Sequence, residues 1–354
     1  MKFIHIADVH LGAEPDRGKP WGLRRKDEIF ETFYSVLDIA VEERVDLILI
    51  AGDLFHRQPL KRELKELNYK FESLGNIKVA IMAGNHDYLK PDSFYKGFPW
   101  SDNVFFFDTT EIGVKYFEDI QTCIYGLSYD HSCVPQPKYD KAAPDRDTHG
   151  GCRHILLAHG GDEKHIPLNI KRLEASDFNY VALGHIHKPQ LFPGGKVAYA
   201  GALEPIDKND EGMHGYIIGE CSLGETFIKF VPHALREYIT LNIEVDSGMT
   251  FGHAVDMIRK KISDHGEDNI YKVHIIGMKD EDISFNTDDI SRLGNIASVI
   301  DETVYNYDFE KLYYANKDNI IGKYIYRIMQ IDIHEDVKMK ALYYGVHSLY
   351  NAGR

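Results

Sequence analysis

Positive charge is what this chain lacks: 41 Lys and Arg stand against 55 Asp and Glu, a formal net charge of −14 over 354 residues. Affinity for nucleic acid is dominated by contacts to phosphate, so a polyanion would not be held by overall attraction. Any such contact must come from local basic clusters, bound cations or a basic partner. Cysteine is scarce too. Cys123, Cys133, Cys152 and Cys221 show no CxxC spacing, which speaks against a zinc knuckle and for free thiols of a cytoplasmic protein. No run approaches the roughly 18 apolar residues needed to cross a bilayer. Residues 1–7 begin a strand at once with no basic n-region, so neither a signal peptide nor membrane contact is expected. Internal repeats and low-complexity segments are missing as well.

What the sequence does have is an ordered set of polar clusters, each on the end of an apolar run. Asp8-Val9-His10 follows Phe3-Ile4-His5-Ile6, and Gly52-Asp53-Leu54-Phe55-His56 follows Leu47-Ile48-Leu49-Ile50. Gly84-Asn85-His86-Asp87 follows Val79-Ala80-Ile81-Met82, His159-Gly160 follows Ile155-Leu156-Leu157-Ala158, and Gly184-His185-Ile186-His187 follows Tyr180-Val181-Ala182-Leu183. Short apolar runs bounded by turn residues read as buried strands. In open α/β sheets, ligands sit beyond the carboxyl ends of the strands. Two Asp, one Asn and several His would thus gather on one rim. Such a mixed set, about seven ligands, is too many for one tetrahedral zinc. It suits two ions about 3.5–4 Å apart acting on phosphorus, with Asp8 or Asp53 able to bridge them. Singly, a Gly-Asp after a strand is usually only a turn, and a His-x-His is a coin toss. Their joint order carries the reading.

This constellation resembles the calcineurin-like metallophosphoesterase superfamily over roughly residues 1–235. The resemblance implies that Asp8, His10, Asp53 and His187 hold one ion and that Asp53, Asn85, His159 and His185 hold the second, with Asp53 bridging. It implies that His86 is the catalytic histidine that protonates the leaving oxygen. Asp87 would orient His86, and His56 would contact the phosphate or position the substrate. Gly52-Asp53-Leu54-Phe55-His56 is similar to the DNA-repair nuclease branch, and Tyr180 through Gln190 to its SbcD-type and YhaO-type exonucleases. So are Arg236-Glu237-Tyr238 and Ala341-Leu342-Tyr343-Tyr344-Gly345. Ala202 stands where SbcD-type proteins tend to have Ser.

Length suggests about two domains. Residues 25–44 and 59–74 are helix-like and separate the first three strands. Later strand-like runs at 104–107, 123–126, 154–159, 180–184, 196–200, 216–219 and 227–231 favour two packed sheets flanked by helices. The fold expected is α/β (α+β): a calcineurin-like β-sandwich over 1–235, a small α+β capping domain over 238–315 and a helical tail over 316–354. Residues 130–152 read as a long surface loop. In the second domain, 251–265 has helical spacing, 271–277 reads as a strand and Ile290–Ala297 as another helix. The tail carries two apolar stripes, Ile320, Ile321, Tyr324, Ile325 and Ile328, then Leu342, Tyr343, Val346 and Leu349. They must be buried against the chain's own core or against a partner.

Arg17, Lys19, Arg24, Arg25 and Lys26 lie beside Trp21 between the first ligand pair and the first helix. DNA contact and a plain solvated loop are about equally supported there. Lys61, Arg62, Lys65 and Lys70 alternate with glutamates and read as a solvated helix face. The expectation is a cytoplasmic two-metal DNA nuclease, a 3′→5′ exonuclease with endonuclease activity as an extension. Mn²⁺ is the first choice of metal, with Fe, Zn or Mg as alternatives. The partners implied are DNA, an SbcC-like coiled-coil ATPase and a second copy of the chain. The competing readings are a stand-alone phosphomonoesterase or cyclic-nucleotide phosphodiesterase, and a weakly active DNA-binding scaffold.

Overall fold

Alternation within the apolar runs decides the architecture. In β1 (Lys2–Ile6) and β2 (Leu47–Ala51), Ile4, Ile6, Ile48 and Ile50 enter one hydrophobic core, while Phe3, Leu47 and Leu49 enter another. Side chains alternate across a strand, so a run apolar on both faces demands cover on both. A computed structural model, describing residues 1–280 and 282–352, supplies that cover. Beyond β1, α1 (Gly22–Glu42) and β2 come α2 (Lys61–Glu72), β3 (Lys78–Met82) and β4 (Val104–Phe107). They are followed by β5 (Gly113–Phe117), β6 (Thr122–Gly126), the short α3 (Arg146–His149), β7 (Arg153–His159) and α4 (Ile170–Glu174). Then come β8 (Tyr180–Gly184), β9 (Gln190–Leu191), β10 (Val197–Tyr199), β11 (Gly215–Cys221) and β12 (Thr226–Pro232).

These strands form two sheets, ordered β12-β11-β1-β2-β3-β4 and β5-β6-β7-β8-β10-β9. Strands β1 to β4 run parallel, as do β6, β7, β8 and β10, so their carboxyl ends share an edge within each sheet. Phe3, Leu49 and Ala80 of the first sheet and Ile155, Leu157 and Ala182 of the second belong to one buried cluster, the sandwich interior. The outer face of the first sheet carries α1 and α2. Ile29, Phe33, Val36, Leu37 and Ala40 recur at helical spacing and bury one stripe of α1. The two-sheet α/β fold expected from the sequence is the one found.

Contacts divide the chain into two units, residues 1–239 with 268–270, and 240–267 with the described residues from 271 on. The second contains most of a small sheet, β13 (Tyr238–Val245), β14 (Ile270–Lys279) and β15 (Ile296–Asp301), with β16 (Val304–Tyr305) beside β14. Helix α5 (Phe251–His265) buries Ala254, Ile258 and Ile262. The helix expected over Ile290–Ala297 is absent. After one turn, α6 (Thr287–Ile290), the chain passes Gly294 and Asn295, and Ile296 enters β15 instead, parallel to β14. Helices α7 (Phe309–Ala315), α8 (Ile320–Met329) and α9 (Glu335–Ala352) close the unit. Leu312, Ile325, Leu342 and Val346 form one small core, so the two tail stripes cover each other apart from Ile320, which stays exposed. The cut expected at 315/316 falls between α7 and α8, which share that core. Among the described residues no helix is long and apolar enough to cross a membrane.

A buried charge network stands at the end of the first unit. Arg25 donates to Glu28 at 2.8 Å, to Glu204 at 3.3 Å and to the Pro205 carbonyl at 2.6 Å. Arg236 meets Glu28 at 2.7 Å and donates to the Asp268 carbonyl. Removing one partner of such a set strands a charge away from water. Arg25→Ala should therefore lower unfolding stability by about 3–5 kcal/mol. Urea denaturation checks this, and a loss near that of an exposed ion pair would contradict it.

Candidate metal centre

The site is built from turns that few side chains tolerate. Asp8, His10, Asp53 and His185 all adopt positive φ, at 49°, 52°, 48° and 95°. Non-glycine residues seldom do so, and Asp and His do so more readily than most. The turns after β1 and β2 are zipped together. Asp8 N donates to the Gly52 carbonyl at 3.1 Å and His10 N to that of Asp53 at 3.0 Å. Two glycines make room. A Cβ on Gly84 would stand 2.2 Å from Asp53 Oδ1, and one on Gly184 would stand 1.9 Å from the Ala51 carbonyl oxygen.

All seven expected ligands converge. Asp8, His10 and His187 bring their donor atoms within 4.8 Å of one another, as do Asp8, Asp53 and His159. Asn85 Oδ1 lies 2.9 Å from His159 Nε2 and 3.1 Å from His185 Nδ1. His10 Nε2 lies 3.2 Å from His187 Nε2. Asp53 stands between the groups, with Oδ2 3.5 Å from His159 and 3.9 Å from His10, while Oδ1 accepts from His86 N at 2.8 Å. Asp8 accepts from His185 N at 2.9 Å, tying the first sheet to the second. Asp8, His10, Asp53 and His159 are buried, so the chemistry of these donors is that of a dry interior.

That interior shifts the charges. Burial pushes Asp8 up to about 6 and drives His10 well down. Burial also pushes Asp53 up, but the neighbouring His159 and His10 outweigh it, and its carboxyl stays well below the usual range. Burial opposes charge on His159 too, yet Asp53 holds it up at about 9. His187 is likewise held at about 9, by Asp210 and Asp8 against burial. His159 Nδ1 lies 2.9 Å from the Ala51 carbonyl, which can only accept. A neutral ring would then aim its Nε2 lone pair at Asn85 Oδ1 and Asp53 Oδ2. Acceptors facing acceptors need a cation between them, a proton or a metal ion. The donor set, oxygen and imidazole with no thiolate, fits two divalent ions.

His56 and His86 form the exposed lip of the centre. Their rings stack at 5.0 Å, and both lie edge-on to His10, at 5.3 and 4.8 Å. Asp87 is not the partner of His86. It is buried beneath the turn, where it accepts from Gly84 N at 2.8 Å, Phe55 N at 3.1 Å and Tyr95 Oη at 2.8 Å. The ring of His86 instead meets the His56 carbonyl, 3.3 Å from its Nδ1. Two of the five expected DNA contacts are also corrected. Arg25 is wholly buried and spent on Glu28, Glu204 and Pro205. Trp21 is buried, with its indole N–H donating to Asp16 at 2.9 Å. Arg17, Lys19 and Arg24 are exposed. Two carboxylates were not foreseen: Asp162 lies 2.9 Å from His185 Nε2, and Asp210 lies 3.1 Å from His187 Nδ1. The Asp three residues past His159 in His159-Gly160-Gly161-Asp162 was the only available signal for the first.

A family model described as calcineurin-like phosphoesterase matches residues 1–189. An uncharacterized metallophosphoesterase YhaO of Bacillus subtilis is 32% identical over 250 residues, 65% of this chain and 60% of that protein. The DNA double-strand break repair protein Mre11 of Methanocaldococcus jannaschii is 30% identical over 281 residues, 73% of this chain and 74% of that one. Of solved structures, a dimetal phosphatase from Danio rerio superposes with a TM-score of 0.41 at 13% identity, over 66% of this chain and 99% of that one, too slight a likeness to bear on chemistry.

If His159 and His187 are ligands, loading the centre displaces the protons that these rings, both held at about 9, carry at neutral pH. Ion binding should therefore tighten as pH rises toward 9 and weaken as it falls, about tenfold per unit for each proton displaced. Calorimetric titration of Mn²⁺ at pH 7.5, in buffers of different ionisation enthalpy, should register about two protons released per chain. Release of none would remove these rings from the ligand set.

Proposed function

This chain belongs to the calcineurin-like phosphoesterase family, metal-dependent hydrolases of phosphoester bonds that use two divalent ions, and from there we propose that it is a DNA nuclease. The observation that carries the reading is the convergence of seven buried or half-buried donors beneath an exposed pair of histidines. The archaeal relative named for DNA double-strand break repair supports DNA as substrate. In this reading Asp8, His10, Asp53 and His187 hold one ion and Asp53, Asn85, His159 and His185 the other. Mn²⁺ is preferred, because the set mixes hard oxygen with imidazole. Bound there, the ions supply Lewis acidity that activates water and neutralises charge on the phosphoryl oxygens.

The chain's own residues do the rest. His86 donates a proton to the leaving sugar oxygen, held in place by the His56 carbonyl and the stacked His56 ring. His56 contacts the phosphate. Asp53, accepting from His86 N, ties the position of that acid to the ligands below it. Arg17, Lys19 and Arg24 offer phosphate contacts from the loop after the first ligand pair. The favoured activity is 3′→5′ exonucleolytic, with endonucleolytic cutting as its extension. The three-part division at 235 and 315 belongs to the same proposal.

End-labelled single- and double-stranded DNA, incubated with Mn²⁺, Mg²⁺ or EDTA, tests this directly. Cutting should require metal. His86→Ala should keep both ions and bound DNA while losing about 10²–10⁴-fold in turnover. Asp53→Asn should lose both ions by elemental analysis. A His86→Ala protein that cuts DNA normally would move the proton donor, with His56 next in line.

The net charge of −14 supports a basic partner that supplies phosphate contacts, and an SbcC-like coiled-coil ATPase is proposed to dock on α8 and α9. These helices keep Ile320, Tyr326, Val337 and Tyr344 exposed even after their stripes have covered each other. Tyr326→Glu with Val337→Glu should leave a folded, metal-loaded enzyme that no longer co-purifies with the ATPase. Retained co-purification would exclude this surface.

A further inference from the structure

His185 and His187 present different ring nitrogens to the donor cluster. His185 turns Nδ1 toward Asn85 Oδ1, 3.1 Å away, and Nε2 toward Asp162 Oδ2, 2.9 Å away. His187 turns Nε2 toward His10 Nε2, 3.2 Å away, and Nδ1 toward both oxygens of Asp210, at 3.2 and 3.1 Å. A carboxylate has no proton to give, so the nitrogen facing it must carry one. The other nitrogen of a neutral ring then keeps its lone pair. Asn85 Oδ1 is an acceptor too, but the ionised Asp162 is the stronger and nearer one, so it selects the Nε2–H form of a neutral His185, and Asp210 selects the Nδ1–H form of a neutral His187. In a neutral ring, each choice leaves bare the nitrogen that faces the cluster.

Both carboxylates are fixed before any ion arrives. Asp162 Oδ1 accepts from Lys164 N at 2.7 Å and His165 N at 2.9 Å, and the His165 ring lies 2.8 Å from its Oδ2. Asp210 Oδ2 accepts from Ile206 N and Asp207 N, both at 3.0 Å. Each carboxylate is therefore held by backbone through one of its oxygens and does not wander with a free side chain. Partners of this kind fix the tautomer and ring orientation of a ligating histidine and raise its basicity.

We propose that Asp162 and Asp210 are positioning residues that set which nitrogen His185 and His187 offer, and so set the affinity of one ion each. The proposal rests on the assignment of these histidines as ligands. Asp162→Asn is the sharpest variant. The amide oxygen can keep the two backbone bonds that hold the loop, which leaves the NH₂ group facing His185 Nε2. That group donates, so it favours the opposite tautomer and puts a proton on Nδ1, where the ion should sit. A residue that only braced the loop would tolerate the same change.

The test uses the full chain, stripped by chelation and titrated with Mn²⁺ against a competing indicator, with the fold checked by circular dichroism. Asp162→Asn and Asp162→Ala should weaken one ion by about 10–100-fold and leave the other unchanged. Asp210→Ala should weaken the other ion instead. Asp210→Asn should be milder, because both Asp210 oxygens reach His187 and the amide oxygen can still accept. Long-range ¹H–¹⁵N spectra of the ion-free protein should show His185 protonated on Nε2, and on Nδ1 in Asp162→Asn. His185→Ala is the control. If it loses an ion while Asp162→Asn binds both as tightly as the parent, the positioning role is overturned. If His185→Ala itself keeps both ions, the ligand assignment fails and the inference falls with it.

Discussion

The structure of the first unit turns on one buried carboxylate. Asp53 sits at the end of β2 with imidazoles on either side and the backbone N–H of His86 on its remaining oxygen. Burying an ionised carboxylate alone would be strongly unfavourable. The histidines answer that demand from two sheets, His10 from the first and His159 from the second. The sandwich is therefore closed by chemistry at one rim as well as by apolar packing in its interior. The positive-φ turns make sense on these terms. Backbone strain persists where the surroundings over-determine it, and here the backbone bonds between the β1 and β2 turns do so.

Much of this was legible in the chain because strand ends announce themselves. Apolar runs that stop at Gly-Asp, Gly-Asn-His or Gly-His-x-His locate both a sheet edge and its cargo. Pairing was less legible than composition. Asp87 follows His86 directly, yet its oxygens go to Gly84, Phe55 and Tyr95, because successive residues in a tight turn point apart. Arg25 and Trp21 looked like substrate contacts by proximity in sequence to Arg24 and Lys19. Residue 25 lies on the buried stripe of α1, four before Ile29, so its charge had to be neutralised inside. Ile290–Ala297 shows helical spacing, but the Gly294-Asn295 pair and an open place beside β14 make it a turn and a strand. Asp162 offers only its spacing from His159 as a signal and Asp210 offers none, since only the folded loops show which histidine they face.

The second unit follows a different logic. Its apolar stripes need no external cover to exist, because α7, α8 and α9 cover one another around Ile325 and Val346. What remains exposed is a second set of apolar side chains on the same helices. A hydrophobic stripe wider than its own helix bundle can absorb is the kind of surface that marks an interaction site.

The hydrogen bond from His185 N to Asp8 spans 177 residues of sequence. During synthesis, the first ligand turn leaves the ribosome long before its counterpart is made. Contacts so distant carry a large loop-closure penalty and form late. The rim where Asp8 meets His185 thus cannot close until residue 185 has emerged and the two sheets have docked. On the ligand assignment proposed above, a chain whose two sheets have not docked cannot assemble both ion sites, and so stays inert as a phosphoesterase.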